Sequence, residues 1–313
     1  MMPGPAIDRC RQTVRGEVVD AHVHLFARGL LEEQVERGRV LPGMLARALE
    51  TGRLGRRGEP IPDLGPEEMA GWYASRLDEA GIAKAVVMSV FEDSEYMRRF
   101  VSAAQGRVYA LCTLDPRCRE APALLEREIG AGFRGVKLLP VNRHFRLSDP
   151  ACRPFFEKAA ELGCAICVHY GVTIGPTGDL RYADPTDLSP VARDFPEITF
   201  VIAHFGAGYF GETLRLAYQC DNVCVDSSGT NNWIDYDPHA YSLSQVFERA
   251  LLALGPERVL FGTDSNTTAP YRSWIAFQQR RILEELGLGD RERDCVLRGN
   301  AVRIYRLDDG ASR

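Results

Sequence analysis

The feature that most constrains the fold is a regular alternation of β-rich and helical segments along the 313 residues of the chain. Eight short runs are rich in Val, Ile, Ala, Cys and Phe and carry few charges; they cover residues 16–26, 83–91, 107–115, 133–141, 164–171, 198–206, 222–229 and 258–266. Such near-continuous apolar character is typical of strands buried on both faces, as in parallel sheets. Helical patterns lie between the runs, and several begin at Ser, Asp or Pro and end at Gly. The alternation predicts βαβ units that close into a (β/α)₈ barrel, the TIM-barrel fold.

The segment at residues 27–65 is much longer than the other connections and is rich in Gly, Arg, Pro and Glu. In a barrel it follows the first strand at the mouth formed by the carboxyl ends of the strands, where loops carry function. Either this insertion forms a lid or part of the substrate pocket, or it is a surface excursion. The tail at residues 291–307 predicts a closing helix, and we expect a single domain over residues 1–313.

Composition argues against several classes of partner. The net charge is −5 and the pI is about 5.8, so nothing indicates the basic surface that nucleic-acid or membrane partners usually require. The basic cluster of Arg53, Arg56 and Arg57 is short and lies among glycines, which favours a solvated loop. The N-terminus lacks the apolar segment of a signal peptide, and no stretch reaches the length of a membrane span.

The nine cysteines are odd in number and scattered, which is typical of free thiols in a reducing compartment. Cys164 and Cys167 have the spacing of a redox or zinc pair, but they lie in a predicted strand. Because residues three apart on a strand face opposite sides, the two thiols are poorly placed to share a metal. We therefore expect both to be structural and the protein to be cytoplasmic.

Histidines and one aspartate mark the carboxyl ends of the predicted strands. Four of the six histidines lie there: His22 and His24 end the first strand, His169 the fifth and His204 the sixth. Asp264 ends the eighth strand. Side chains two residues apart on a strand point the same way, so the pair on the first strand is a natural half-site for zinc or a similar ion.

Lys137 lies near the end of the fourth strand, in the apolar run GVKLLP. Burial of an unpaired ammonium group is costly, so this lysine needs a reason to be there. Taken singly, a buried histidine is usually a hydrogen-bonded core residue, and a lysine inside a barrel usually pairs with a carboxylate. Together, however, strands one, four, five, six and eight bring these side chains to one mouth, which predicts a divalent-metal site.

The order of these side chains resembles the amidohydrolase superfamily. The phrases AHFG, FGTD and GNAVRIYRL look most like its amidohydrolase-related subfamily, which includes aminocarboxymuconate-semialdehyde decarboxylase-like enzymes. The resemblance implies four metal ligands, His22, His24, His169 and Asp264. It implies that His204 is an acid/base group or a ligand of a second ion, and that Lys137 matches the carbamylated lysine that bridges two ions in binuclear members. It also suggests a homodimer.

These residues predict a metal-dependent hydrolase, with zinc as the first choice of metal and one ion, or two if Lys137 is carbamylated. A metal on imidazole and carboxylate ligands can lower the pKa of bound water and polarise the carbonyl of an amide, ester or lactone. Asp264 would move the proton, and His204 would stabilise the oxyanion or relay a proton. Two alternatives stay open: a metal-dependent decarboxylase of an aromatic or unsaturated acid, and a barrel that binds metal without catalysis.

Loop residues beyond the strands are candidates for binding a small-molecule substrate. They are Arg143, His144 and Arg146 after the fourth strand, Trp233 and His239 after the seventh, and Asn266 after the eighth. Arginine suits bidentate recognition of a carboxylate. The alternative is that most of these residues are ordinary surface residues.

Overall fold

The computed structural model describes residues 18–307 except 42, 55–58, 105, 174–176 and 230–232. The strands are β1 (Val19–Val23), β2 (Lys84–Glu92), β3 (Val108–Thr113), β4 (Val136–Leu138), β5 (Ile166–Val168), β6 (Phe200–Ile202), β7 (Val223–Asp226) and β8 (Val259–Leu260). The α-helices described over their whole length are α1 (Arg28–Glu36), α2 (Gly43–Thr51), α3 (Pro66–Ala80), α4 (Glu95–Ala103), α5 (Ala121–Gly130), α6 (Pro140–Arg143), α7 (Arg153–Leu162), α8 (Ser189–Asp194), α9 (Phe210–Gln219), α10 (Leu243–Leu254), α11 (Ser273–Glu285), α12 (Asp290–Asp294) and α13 (Asn300–Ile304).

The eight strands are parallel and pair in chain order from β1 to β8. The strand β8 is two residues long, and the segment just beyond it closes the barrel against β1. The amide of Ala21 donates to the carbonyl of Phe261 at 2.9 Å, and the amide of Asp264 donates to the carbonyl of His22 at 2.9 Å. The predicted (β/α)₈ barrel is confirmed, and each predicted run overlaps one strand.

Two apolar layers flank the sheet. One layer lies between the strands and the helices, and the other fills the barrel interior and includes Ala165 and Cys167. The predicted closing tail forms α12, one π-helical turn and α13. Ile304 and Tyr305 from this tail join the interior core beside Val19, at the start of β1, and so fill the end of the barrel opposite the mouth.

The cysteines follow the predicted pattern. The eight described cysteines are free thiols. Cys164 belongs to the outer layer and Cys167 to the barrel interior, so the two side chains lie on opposite sides of the sheet.

The insertion at residues 27–65 contains α1 and α2, and its first half is fastened to the barrel. Leu30 and Leu31 of α1 are fully buried in the outer core. The Glu33 carboxylate accepts hydrogen bonds from the hydroxyl of Ser94 at 2.7 Å and from the amide of Glu95 at 2.7 Å. Because these donors begin α4, directly after β2, α1 is held against the β2 side of the mouth.

Some predictions fall on residues for which no structure is given. Arg56 and Arg57 of the basic cluster, and residues 1–17, to which the signal-peptide prediction applies, lie outside the described residues. Arg53 of the same cluster is exposed. Among the described residues, no helix combines the length and the apolar character needed to cross a membrane.

Substitution of Gly171 tests how tightly the loops after β5 and β6 are packed. Its φ is +80°, and an added Cβ would lie 2.1 Å from the carbonyl oxygen of Gly206. We expect Gly171→Ala to lower the free energy of unfolding by about 3 kcal/mol, because roughly 1–2 kcal/mol of left-handed strain adds to a backbone collision. The control Gly38→Ala has φ +68° and no atom within 4 Å, so only the strain applies. Urea unfolding measures both, and equal losses would contradict the expected packing.

Candidate metal centre

The predicted ligands lie where the strands end, and the backbone there is bent out of the strand conformation. His204 has φ 58° and Asp264 has φ 56°, values that residues other than glycine rarely adopt. Such strain persists only where the surroundings enforce it, and it concentrates at functional sites. The bends turn both side chains into the mouth, beside His22 and His24.

Three imidazole rings are held in the same way. The Nδ1 atom of His22 lies 2.8 Å from Oδ2 of Asp226, that of His24 lies 3.1 Å from the carbonyl oxygen of Met88, and that of His204 lies 2.8 Å from the carbonyl oxygen of Ser228. These partners are acceptors, so each Nδ1 carries the proton and donates it. Each Nε2 therefore keeps its lone pair, which is the arrangement typical of metal-ligating histidines.

The candidate donor atoms of these side chains lie close together. One ring nitrogen each of His22 and His204 and a carboxylate oxygen of Asp264 lie within 4.8 Å of one another. The Nε2 atom of His24 faces Oδ1 of Asp264 at 3.2 Å. A proton on Nε2 of His24 would make this contact an ion pair, and a divalent cation that binds both atoms can take the place of that proton.

His169 completes the group from the β5 side. Its Nδ1 lies 3.2 Å from Nε2 of His204. The Nε2 atoms of His22 and His169 are buried and have no hydrogen-bond partner among the described residues. Buried polar atoms rarely stay unpaired, and the donor set of imidazoles and a carboxylate suits zinc and similar divalent ions. The residues therefore fit a metal ion.

The electrostatics of the site favour the ligating forms of these side chains. Burial lowers the pKa of His22 to about 3 and also lowers the pKa values of His169 and His204. Burial opposes ionisation of Asp264, but the contact with His24 holds its pKa well below the usual range. Near neutral pH the site therefore combines the neutral imidazoles of His22, His169 and His204 with an ionised carboxylate, as metal binding requires.

Lys137 lies deeper, on β4, and is fully buried. Its Nζ donates to Sγ of Cys167 at 3.3 Å. The positive charge of Lys137 also helps to lower the pKa of Asp226 against the effect of burial. Lys137 thus lies deeper in the barrel than the candidate ligands, next to Cys167.

Sequence reasoning missed Asp226 and Cys167, which border the candidate ligands, and Asp20, which holds the backbone at the end of β1. Asp226 ends β7 and receives the His22 ring. Asp20 is fully buried on β1 and accepts hydrogen bonds from the amides of His22 and Thr263 at 3.1 and 3.0 Å. The available signal was a carboxylate inside or at the end of an otherwise apolar strand, as in VCVD.

Two of the predicted substrate-binding residues, Arg143 and Trp233, turn towards the barrel. Arg143 reaches back across the mouth to the Glu92 carboxylate and the carbonyl of Val90 at the end of β2, and its side chain is 28% exposed. Trp233 is buried against Phe210, and its Nε1 has no hydrogen-bond partner among the described residues.

The other four candidates make contacts within their own or neighbouring loops. These contacts are from His144 Nε2 to the Thr177 carbonyl at 2.9 Å, from Arg146 to the Arg181 carbonyl at 3.1 Å, from His239 Nδ1 to Asp237 at 3.0 Å, and from the Thr268 amide to the Asn266 side chain at 2.9 Å. None of the contacts given for the described residues joins these four side chains to the candidate metal ligands, and their role in substrate binding stays a prediction.

A parallel barrel with a His/Asp cluster at its carboxyl-end mouth defines a class of metal-site TIM barrels. The family model described as Amidohydrolase matches residues 19–307, so the chain belongs to the amidohydrolase family. This confirms the resemblance found in the sequence and makes the protein an enzyme of the amidohydrolase superfamily.

Individual relatives are more distant. Over 213 residues the chain is 28% identical to 2-keto-4-carboxy-3-hexenedioate hydratase from a Sphingobium species, with 59% of this chain and 61% of that protein covered. The matches span 46% to 61% of the lengths of the curated relatives.

Solved structures show the same fold. A protein assigned as 2-pyrone-4,6-dicarboxylic acid hydrolase from Pseudomonas putida has TM-score 0.63 and 20% identity, covering 93% of this chain and 97% of that chain. The 5-carboxyvanillate decarboxylase from Sphingomonas paucimobilis has TM-score 0.62 and 17% identity, covering 93% and 99%. Hydrolases and decarboxylases thus share this barrel, and the likeness by itself does not distinguish them.

The lowered histidine pKa values predict acid sensitivity of the metal-free protein. His22, His169 and His204 stay neutral in the folded chain, whereas the unfolded chain takes up protons on them below about pH 6.5. The unfolded state then binds more protons, so the free energy of unfolding decreases as the pH falls. Asp20 has the opposite effect on the pH dependence of the free energy of unfolding, because burial raises its pKa to about 6. Its single contribution is opposed by those of the three histidines.

The measurement is urea unfolding of chelator-treated protein between about pH 7 and about pH 5, on either side of the ordinary histidine pKa. We expect His22→Gln to flatten the dependence and His239→Gln, at an exposed ring, to leave it unchanged. Stability that rises towards acid pH would contradict the assignment of neutral rings.

Proposed function

We propose that this protein is a metal-dependent hydrolase that uses metal-activated water on a carbonyl substrate. The observation that carries the proposal is that three imidazoles have Nδ1 on an acceptor, while the buried Nε2 atoms of His22 and His169 have no hydrogen-bond partner among the described residues. A purely structural histidine has no need of a free, buried lone pair, whereas a metal ligand does.

We assign one zinc ion to four ligands, His22, His24, His169 and Asp264. When bound, zinc would polarise the carbonyl group of the substrate and lower the pKa of a bound water molecule. The proposal keeps Lys137 as an amine, because its Nζ lies against the Cys167 thiol. If Lys137 is instead carbamylated, a second ion and His204 as its ligand become part of the site.

The chain's own side chains would carry the proton transfers. Asp264 is 19% exposed at the mouth, so its carboxylate can accept a proton from the attacking water and pass it to the leaving group. His204 has its Nδ1 proton committed to Ser228, so its Nε2 is an acceptor that could take up a proton and relay it within the site.

We further propose that the substrate is a small carboxylic acid. Arg143 is the cationic side chain that the fold brings to the mouth from the β4 loop, and a guanidinium pairs well with a carboxylate. The named relatives support this choice, since a hexenedioate, a pyrone dicarboxylic acid and a carboxyvanillate are all carboxylic acids. Phe26 and Phe91, whose ring centres are 6.4 Å apart, lie beside His24 and Glu92 and offer an apolar surface to the same substrate.

Decarboxylation is the second candidate, because 5-carboxyvanillate decarboxylase and 2,6-dihydroxybenzoate decarboxylase have the same fold. The same ligands would hold the oxygens of an aromatic acid, and Asp264 and His204 would move the proton. A water-adding reaction is favoured because the hydratase is the relative with the highest sequence identity among those named above.

Metal content is the first test. We expect elemental analysis of protein purified without added metal or chelator to give about one equivalent of zinc per chain. In His22→Ala the loss of a ligand should weaken zinc binding more than the roughly 100-fold that changing a supporting residue costs. Glu157→Gln, exposed on α7, is the control and should bind zinc as the unaltered protein does.

Other metal contents have defined meanings. Two equivalents would replace the single-ion assignment by a carbamylated Lys137. No metal, with no uptake on reconstitution, would overturn the proposed function.

A substrate panel tests the reaction and the role of Arg143. The panel pairs lactones and esters that carry a carboxylate with uncharged analogues, and it includes aromatic acids assayed for carbon dioxide release. We expect Arg143→Gln to raise KM for the charged hydrolytic substrates about 10–100-fold, the value of a hydrogen bond to a charged group. Arg153→Gln, exposed on α7, should have no effect. Carbon dioxide release without hydrolysis would establish the second candidate instead.

We also propose a cytoplasmic location, supported by the eight free thiols among the described residues. The homodimer and the absence of nucleic-acid and membrane partners stay predictions.

A further inference from the structure

Asp226, at the end of β7, is a fully buried carboxylate whose two oxygens have different partners. Its Oδ2 receives the Nδ1 proton of His22 at 2.8 Å. Its Oδ1 accepts from the amide of His204 at 3.0 Å and from Ser228, through the amide at 3.1 Å and the hydroxyl at 2.5 Å. One side chain thus joins the ends of β1, β6 and β7.

The contact on Oδ2 determines which nitrogen of His22 carries the proton. An ionised carboxylate only accepts hydrogen bonds, so Nδ1 must be the donor and Nε2 must be bare. Three donors surround the Oδ1 atom of Asp226, as a buried carboxylate anion requires. The ring of His22 is itself fully buried.

The contacts on Oδ1 hold His204 in its strained conformation. His204 has φ 58° and Phe205, the next residue, has φ 50°, and conformations of this kind cost of order 1–3 kcal/mol each unless contacts enforce them. The amide of His204 is tied to Asp226, and its Nδ1 is tied to Ser228, which the same carboxylate holds. Both ends of the His204 residue therefore depend on one carboxylate.

We propose that Asp226 is a positioning residue that fixes the tautomer of His22 and the backbone of His204, and thereby sets the zinc affinity of the site. The inference rests on the proposed function, because it assigns a ligand role to the Nε2 of His22. It adds a residue that does not touch the ion and acts only through the two histidines.

Asp226→Asn is a sharp test because an amide has one acceptor and one donor end. Three donors from His204 and Ser228 surround the Oδ1 position, so the amide oxygen belongs there. The amide nitrogen then faces Nδ1 of His22, and two donors cannot share that contact. The His22 proton should move to Nε2, and the lone pair that serves the ion is lost.

Two measurements follow on the full chain. Nitrogen-15 NMR of the metal-free protein should show His22 with its proton on Nδ1 in the unaltered protein and on Nε2 in Asp226→Asn. Competition with a chromophoric zinc chelator should give a zinc dissociation constant about 10–100-fold higher in the variant, the usual effect of losing a partner of a ligating histidine.

Asp20→Asn is the matched control. Asp20 is equally buried and bonds to the amides of His22 and Thr263, but not to an imidazole ring. It should leave the His22 proton on Nδ1 and change the zinc dissociation constant by less than about threefold, well under the effect of losing a histidine partner. An equal loss of affinity in both variants would assign Asp226 a merely structural role and overturn the inference.

The remaining outcomes also test the inference and the proposed function. A proton on Nε2 of His22 in the unaltered protein overturns the inference even if Asp226→Asn does not fold. Unchanged zinc affinity in a variant with a moved proton overturns the inference but not the proposed function. Failure of the unaltered protein to bind zinc overturns both.

Discussion

The mouth of this barrel depends on two buried carboxylates that join strand ends. Asp226 connects β1, β6 and β7, while Asp20 connects β1 to the segment beyond β8 through Thr263 and Tyr271. A buried charge is tolerated only when hydrogen bonds surround it, so each carboxylate requires all of its donors at once. The position of His22, which lies between the two networks, is consequently fixed through both its ring and its backbone.

The strands were predictable because apolar runs and their alternation with helices are local properties of the sequence. The candidate ligand positions followed from them, since His169 directly follows β5, His204 lies two residues beyond β6, and Asp264 lies beyond β8. The role of Asp226 was not predictable, because its partner His22 lies 204 positions away and sequence gives no distance between such residues. The helices of residues 27–65 were missed for another reason: their Gly- and Arg-rich composition hides a few apolar contacts such as Leu30 and Leu31.

Short strands are part of how the site is built. Residues beyond β6 and β8 leave the strand conformation, and the left-handed backbone at His204 and Asp264 turns their side chains into the mouth. Regular strands would direct alternate side chains into the interior or outward at fixed intervals. The barrel thus supplies rigid positions, and a few strained residues at its edge convert them into a convergent set of donor atoms.

The tail that fills the far end of the barrel affects how an ion and a substrate could reach the candidate site. Because Ile304 and Tyr305 pack among the interior side chains, the ion, the substrate and the product of the proposed function would all reach the histidines through the mouth. Their exchange would then be sequential. On the proposed function, the ion would have to bind before the substrate, and a bound product would compete directly with the next substrate. Arg143, at the rim, would then affect product release as well as substrate binding.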